Sequence, residues 1–319
     1  MMRNKTIAVV IPSYKVTQYI MQVVAGIGTE VDRIYVVDDA CPDGSGKLVE
    51  QGSTDCRVRV IYSAQNNGVG GAVMLGYRHA LEDGYDCVVK IDGDGQMNPA
   101  LIGQFVEPIL NGRADYTKGN RFFNLEDVET MPFVRLVGNA VLSFMSKASS
   151  GYWTIFDPTN GYTAIGRTAL LLLPMEKLST RYFFETDVLF RLGTFGAVVH
   201  DVPMRAVYAD EKSNLSVFKA LFGFTMGHTR NFFKRILYNY FLRGFSVASV
   251  QLIFSIVLLL FGGIYGLIKW MDSVVQGVYA SSGTVMLAAL PIIVGVQLLI
   301  SFISFDMQSQ PKNPLGSQP

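Results

Sequence analysis

Residues 244–268 read GFSVASVQLIFSIVLLLFGGIYGLI, without one charged side chain. As a helix rising about 1.5 Å per residue, a run of roughly 25 residues crosses the ~30 Å hydrocarbon core of a bilayer with some tilt. A second uncharged stretch, 273–305, is most densely apolar from 285 to 305 and contains Pro291, a residue that membrane helices tolerate. Lys269, Trp270 and Asp272 supply a short polar connection. The expectation is a pair of spans at 244–269 and 284–306, with a tail at 307–319. The alternative is a helical hairpin buried in a soluble core, where charge-free runs of this length are rare.

Arg230, Lys234, Arg235 and Arg243 precede the first span, whereas only Lys269 lies between the two. Excess basic charge marks the cytoplasmic side, so both termini and the region before the spans are expected in the cytoplasm, at the cell membrane. Segment 216–243 mixes aromatic and basic residues at helical spacing and is expected to lie along the membrane surface. Helical packing beneath the preceding domain is the other reading of it. His228 reads as an interfacial residue rather than a catalytic one.

The rest of the chain is ordinary in charge. Lys and Arg number 27 against 26 Asp and Glu, which gives no general attraction to nucleic acid. Cys41, Cys56 and Cys87 are odd in number and form no C-x-x-C pair, as suits free thiols in a reducing compartment. The first apolar run, 7–11, ends at Pro12 and is too short for the core of a signal peptide. It reads instead as a buried strand.

Four short apolar strands are expected at 6–11, 33–37, 58–62 and 87–91, with helices at 16–25 and 71–81. Strands alternating with helices indicate an α/β fold with a mainly parallel sheet, in which ligands bind beyond the C-terminal strand ends. Polar clusters stand at three of those ends: Pro12-Ser13-Tyr14, Asp38-Asp39 and Asp92-Gly93-Asp94.

The last of these carries the strongest chemical signal. Asp92 and Asp94, with the carboxamide of Gln96, offer hard oxygen ligands that suit Mg²⁺ or Mn²⁺ and leave coordination positions for a diphosphate. Gly93 and Gly95 allow a tight turn. A surface Asp-Gly turn is the plain alternative, and the residues that follow do not continue an EF-hand. Asp38-Asp39 can accept hydrogen bonds from a base or from ribose, or can simply cap a turn. Asn66-Asn67-Gly68-Val69-Gly70-Gly71 contains no G-x-G-x-x-G and follows the third strand rather than the first, which counts against a nicotinamide enzyme. No P-loop sequence is present.

The ordered series IPSYK, VVDDACPDG, NNGVGGA, KIDGDGQMNP, KGNRF, DPTNGY and FFETD resembles the family 2 glycosyltransferases with a GT-A fold over roughly residues 6–215. Within them it is most similar to the polyprenyl-phosphate sugar transferases. The resemblance implies a Rossmann-like, mainly parallel GT-A domain over 1–215, followed by the two-helix transmembrane hairpin. It implies that Pro12, Tyr14 and Asp39 hold the nucleobase and ribose. Asp92, Gly93 and Asp94 would face the ribose and diphosphate, with Asp94 and Gln96, and Asp92 beside them, on the metal. Arg121 and Arg135 would approach the phosphates or acceptor. Asp157, Glu185 and Asp187 would line the sugar and acceptor side, while Arg205 and Lys212 would close over the pyrophosphate.

Three departures from the family pattern bear on sugar and acceptor identity: Val16 stands where an acidic or amide residue is common, both residues between the metal ligands are glycine, and the loop after Arg121, FFNLEDVETMP, is individual. The expected reaction is inverting transfer from a nucleotide-sugar, UDP-glucose first, to a polyprenyl phosphate at the cytoplasmic membrane face. Its product would be a lipid-linked sugar for cell-envelope glycan or glycoprotein modification. The alternative is nonprocessive transfer to a sugar hydroxyl, which would need Asp157 or Asp187 as base. Packing of the spans between protomers of a homo-oligomer is compatible with either.

Overall fold

A computed structural model describes residues 5–123, 133–205 and 217–317. Seven strands form one sheet among these residues: β1 (Ile7–Ser13), β2 (Arg33–Asp38), β3 (Val58–Tyr62), β4 (Cys87–Lys90), β5 (Tyr116–Asn120), β6 (Thr163–Gly166) and β7 (Val199–Pro203). Their order is β3-β2-β1-β4-β6-β5-β7, and β6 alone runs against the others. The C-terminal ends of β1, β2, β4 and β5 therefore share one edge of the sheet. The reversed β6 brings its start, Thr163, to that same edge, in register with Lys90 on one side and Lys118 on the other.

Helices α1 (Ile20–Ala25), α2 (Ser45–Gly52), α3 (Gly68–Glu82) and α4 (Ile102–Leu110) connect the early strands. Helices α5 (Phe133–Ser150), α6 (Arg167–Leu172) and α7 (Phe184–Phe195) follow. Side chains alternate between the sheet faces, so the uninterrupted apolar run of β1 fills two cores. Ala8 and Val10 join Tyr77, Ile165 and Leu189, whereas Val9 and Ile11 join Ile34, Phe105 and Tyr162. Strands buried on both faces are the signature of a sheet covered by helices on each side. Phe105 of α4 stacks on Tyr162 with centroids 4.0 Å apart, which fastens the loop before β6 to that helix.

The chain divides into two compact units. One comprises the residues up to Phe233 together with those from Pro311 onward, and the other is Lys234–Gln310. In the first, the amide of Leu315 donates to the Asp115 carboxylate at 2.9 Å, so the final segment is fastened at the start of β5. The helix α8 (Val217–Leu237) begins in the first unit and ends in the second.

The second unit is dominated by α9 (Val247–Gln276) and α10 (Ser282–Gln308), both long and apolar enough to cross a membrane, each with an 18-residue stretch of mean hydropathy 2.4. Ser246 and Ser281 cap their first turns, and Gly277 ends α9 in the left-handed region. Asp306, near the end of α10, is buried. It receives Arg235 on both oxygens, at 2.6 and 2.9 Å, and the hydroxyl of Tyr240 at 2.6 Å. An acidic side chain at the end of an apolar helix is thus neutralised within the unit.

Candidate active site

Beyond β4, Asp92, Asp94 and Gln96 stand half-buried on one loop. Gly95 takes φ +78°, a conformation costly for other residues. The turn closes through the Gln96 amide, which donates to Asp94 Oδ1 at 3.0 Å. Among the described residues no three His, Cys, Asp or Glu side chains converge on one point. The oxygens of Asp92, Asp94 and Gln96 fit a hard divalent cation whose remaining positions come from a ligand.

The neighbouring strand ends supply the rest of the edge. Pro12 is buried in β1 and Tyr14 is exposed beyond it. Lys15 and Ala40, in the loops after β1 and β2, are the described non-glycine residues with positive φ, at 58° and 52°. The Lys15 amide meets Cys41 Sγ at 3.1 Å, so these two unusual loops brace each other. Such conformations cost about 1–3 kcal/mol and concentrate at binding sites. Asp38 accepts from the amides of Cys41 and Gly46, each at 2.7 Å. Asp39 is buried, and its two oxygens accept from Asn67 and Gly68 at 2.9 and 2.8 Å. Its observed work is to hold the first turn of α3 to the end of β2.

On the β5 side, Arg121 grips Asp157. Nε and Nη2 lie 2.8 and 3.0 Å from the two carboxylate oxygens, and the Arg121 amide adds a contact at 3.2 Å. Asp157 is 1 % exposed. Glu185 and Asp187, at the start of α7, do not form a paired surface. Glu185 contacts Lys90 at 2.9 Å, and Asp187 accepts from the Ser179 amide at 3.0 Å and from Asn231 at 3.1 Å. Arg205 is exposed just after β7. Arg135 falls within α5, but its side chain, like the whole of Lys212, lies outside the described residues.

Several charged groups here were not singled out from the sequence. Lys90 and Lys118 are both buried, although each lies in a strand. Burial pushes the Lys118 ammonium down to about 8, and it donates to the Asn160 carbonyl. Burial raises the Asp201 carboxyl to about 6, against which the Phe156 amide and Asn120 donate to it. The legible signal was a lysine inside the apolar run VVKID, since a buried charge needs a partner. His228 does not face outward as expected of an interfacial residue. It is buried, its Nδ1 lies 2.8 Å from Ser149 Oγ, Phe183 packs edge-on against it, and burial lowers its pKa to about 4.

A largely parallel sheet with one reversed strand, and an Asp-x-Asp loop at the end of its fourth strand, define a glycosyltransferase of the GT-A fold class. Residues 8–171 match the family described as Glycosyl transferase family 2, and the chain belongs to that family. It is 30% identical to the UDP-N-acetylglucosamine--dolichyl-phosphate N-acetylglucosaminyltransferase of Methanococcus voltae, over 66% of this chain and 88% of that protein. It is 30% identical to the undecaprenyl-phosphate mannosyltransferase of Micrococcus luteus, over 54% and 71% of the two chains. Among solved structures, glucosyl-3-phosphoglycerate synthase from Mycobacterium tuberculosis, in complex with Mn²⁺, UDP and glucosyl-3-phosphoglycerate, is similar in fold. Its TM-score is 0.53 at 19% identity, covering 73% of this chain and 80% of that one.

Proposed function

We propose that the protein transfers a sugar from a nucleoside diphosphate to a polyprenyl phosphate at the cytoplasmic face of a membrane, held there by α9 and α10. The observation that carries the choice of acceptor is the closure of Asp157. Both its oxygens are taken by Arg121 and it is almost fully buried, which disfavours it as a base. Glu185 and Asp187 are likewise engaged. A phosphate monoester has a second pKa near ~6 and is largely a dianion at neutral pH, so it attacks without a base. A sugar hydroxyl would need one.

In this reading the donor lies across the ends of β1, β2 and β4. Tyr14 and Pro12 flank the base, and Asp39 fixes the loop that receives the ribose. Asp92, Asp94 and Gln96 face the diphosphate and would hold Mg²⁺ or Mn²⁺. A divalent ion there supplies charge neutralisation for the departing diphosphate. Arg121, oriented by Asp157, and the exposed Arg205 offer further positive charge to the phosphates, and Arg135 and Lys212 are further candidates for the same role. The acceptor oxygen forms its bond to the anomeric carbon as the bond to the diphosphate breaks on the opposite face, which inverts the configuration. Domain limits near 215, 243 and 306 follow from the same reading.

The relatives' names support a lipid phosphate acceptor and span two donor classes, UDP-N-acetylglucosamine and a mannose donor. UDP-glucose is the first donor to try, followed by UDP-N-acetylglucosamine and GDP-mannose. Purified enzyme incubated with each labelled donor, Mn²⁺ and undecaprenyl phosphate should yield an alkali-stable, phosphatase-resistant labelled lipid with one of them. Label appearing only on a glycolipid hydroxyl would overturn the acceptor assignment.

A further inference from the structure

Lys90 closes β4, a strand whose four side chains are all buried, and only 1% of its own side chain is exposed. Removing an ammonium from water costs several kcal/mol even after relaxation, so a lysine there requires charge partners. It has two. Nζ stands 2.8 Å from Asp92 Oδ1 on the β4 loop and 2.9 Å from Glu185 Oε1 on α7. Lys90 and Glu185 are 95 residues apart in sequence, so one cation joins the β4 loop to α7. Space for the cluster comes from position 161. A Cβ there would lie 2.5 Å from both Lys90 Nζ and Asp92 Oδ2, so a larger residue would displace the two charged groups.

The exposures of the three partners differ in a useful way. The Asp92 side chain is 28% exposed, whereas those of Glu185 and Lys90 are 10% and 1%. Of the three, Asp92 is the most open to a ligand. A carboxylate on a loop samples several rotamers, and the ion pair with Lys90 restrains Asp92 to one that brings Oδ1 to the ammonium.

We propose that Lys90 is a positioning residue for donor binding. Its ammonium pins Oδ1 of Asp92 so that Oδ2 faces the ribose and diphosphate of the donor, and Glu185 balances the buried charge from behind. This rests on the donor-site reading given above. It also assigns Glu185 a role through Lys90 rather than contact with the sugar.

A double-mutant cycle on the full-length protein in detergent tests it, read by calorimetric binding of UDP and of GDP in the presence of Mn²⁺. The variants are Asp92→Asn, then Lys90→Met paired with Glu185→Gln so that no buried charge is left alone, then all three changes together. Each of the first two should weaken nucleotide binding about tenfold. The triple variant should bind no more weakly than the worse of them, because Lys90 acts only through Asp92. A purely structural lesion would multiply with Asp92→Asn, and that result overturns the proposal, as does wild-type binding by the Lys90→Met, Glu185→Gln pair. Should that pair fail to fold, Lys90→Gln, which keeps a donor but no charge, replaces it with the same expectation. If Asp92→Asn and Asp94→Asn both bind nucleotide normally, the donor-site reading falls and takes this proposal with it. If they lose binding while the Lys90 variant retains it, this proposal alone falls.

Discussion

The carboxylates at the end of β4 and those around Arg121 and α7 carry the same chemistry in opposite settings. Asp92 and Asp94 are half-buried on a loop that turns through a left-handed glycine, so they can meet a ligand. Asp157, Glu185 and Asp187 are buried and already hold Arg121, Lys90, Ser179 and Asn231. A buried carboxylate without a partner is costly, and one held on both oxygens has little left for a ligand, whereas Asp92 gives only Oδ1 to Lys90. On the proposed reading, the difference separates residues that bind the donor from residues that hold the binders in place.

The largest effect should fall on the first group. Asp94→Asn is expected to lower transfer about 10²–10³-fold, the usual consequence of removing one electrostatic stabiliser, with an unchanged melting temperature. Initial rates and a thermal melt on the same preparation check both halves. A variant that melts early would move Asp94 into the structural group and erase the contrast.

Arg121→Met strikes the second group. It strands a buried carboxylate and should cost about 3 kcal/mol of stability, and adding Asp157→Asn should recover most of that. Denaturant titration of the single and double variants gives the answer. Recovery of stability without recovery of transfer would show Arg121 acting on phosphates as well as on Asp157.

Asp201 sharpens the comparison through pH. Burial raises its carboxyl to about 6 from an ordinary value of 3.8, so the native state favours the protonated form. The stability from that preference is full below the ordinary value and is lost as pH rises through about 6. Asp201→Asn should therefore raise the melting temperature relative to the parent at pH 7.5, with the difference shrinking towards pH 4. An equal difference at both pH values would contradict the assignment.

The smallest effect is expected at Ala40. Its φ of +52° suits glycine better, and Ala40→Gly should stabilise by about 0.5 kcal/mol, once greater freedom in the unfolded chain offsets part of the relief. Nucleotide affinity should change less than about threefold. A large loss of affinity would mean that the strained loop itself shapes the donor site.

Much of the donor side was legible in the sequence because local rules agree there. The first four strands fall within a residue or two of their expected bounds, and each polar cluster expected at a strand end stands at the shared edge of the sheet. The helix expected from 16 begins only at Ile20, after turn-like residues. The other side was less legible. β5 reads Tyr-Thr-Lys-Gly-Asn, a poor strand by propensity, yet all five residues are buried between β6 and β7. Tertiary pairing overrode the local preference. The same override hid Lys90 and Lys118, whose charges make sense only once Asp92, Glu185 and the Asn160 carbonyl have been brought around them. Asp157 and Asp187 were recognisable as candidates, but their saturation by Arg121, Ser179 and Asn231 depends on contacts distant in sequence.

Determining the structure of the full-length protein with a bound nucleotide-sugar and Mn²⁺ tests the central claim most directly. The account predicts the anomalous signal of manganese between the donor's diphosphate and Asp94, with the nucleoside beside Tyr14 and the ends of β1 and β2. Manganese and diphosphate located anywhere other than the β4 loop would contradict it.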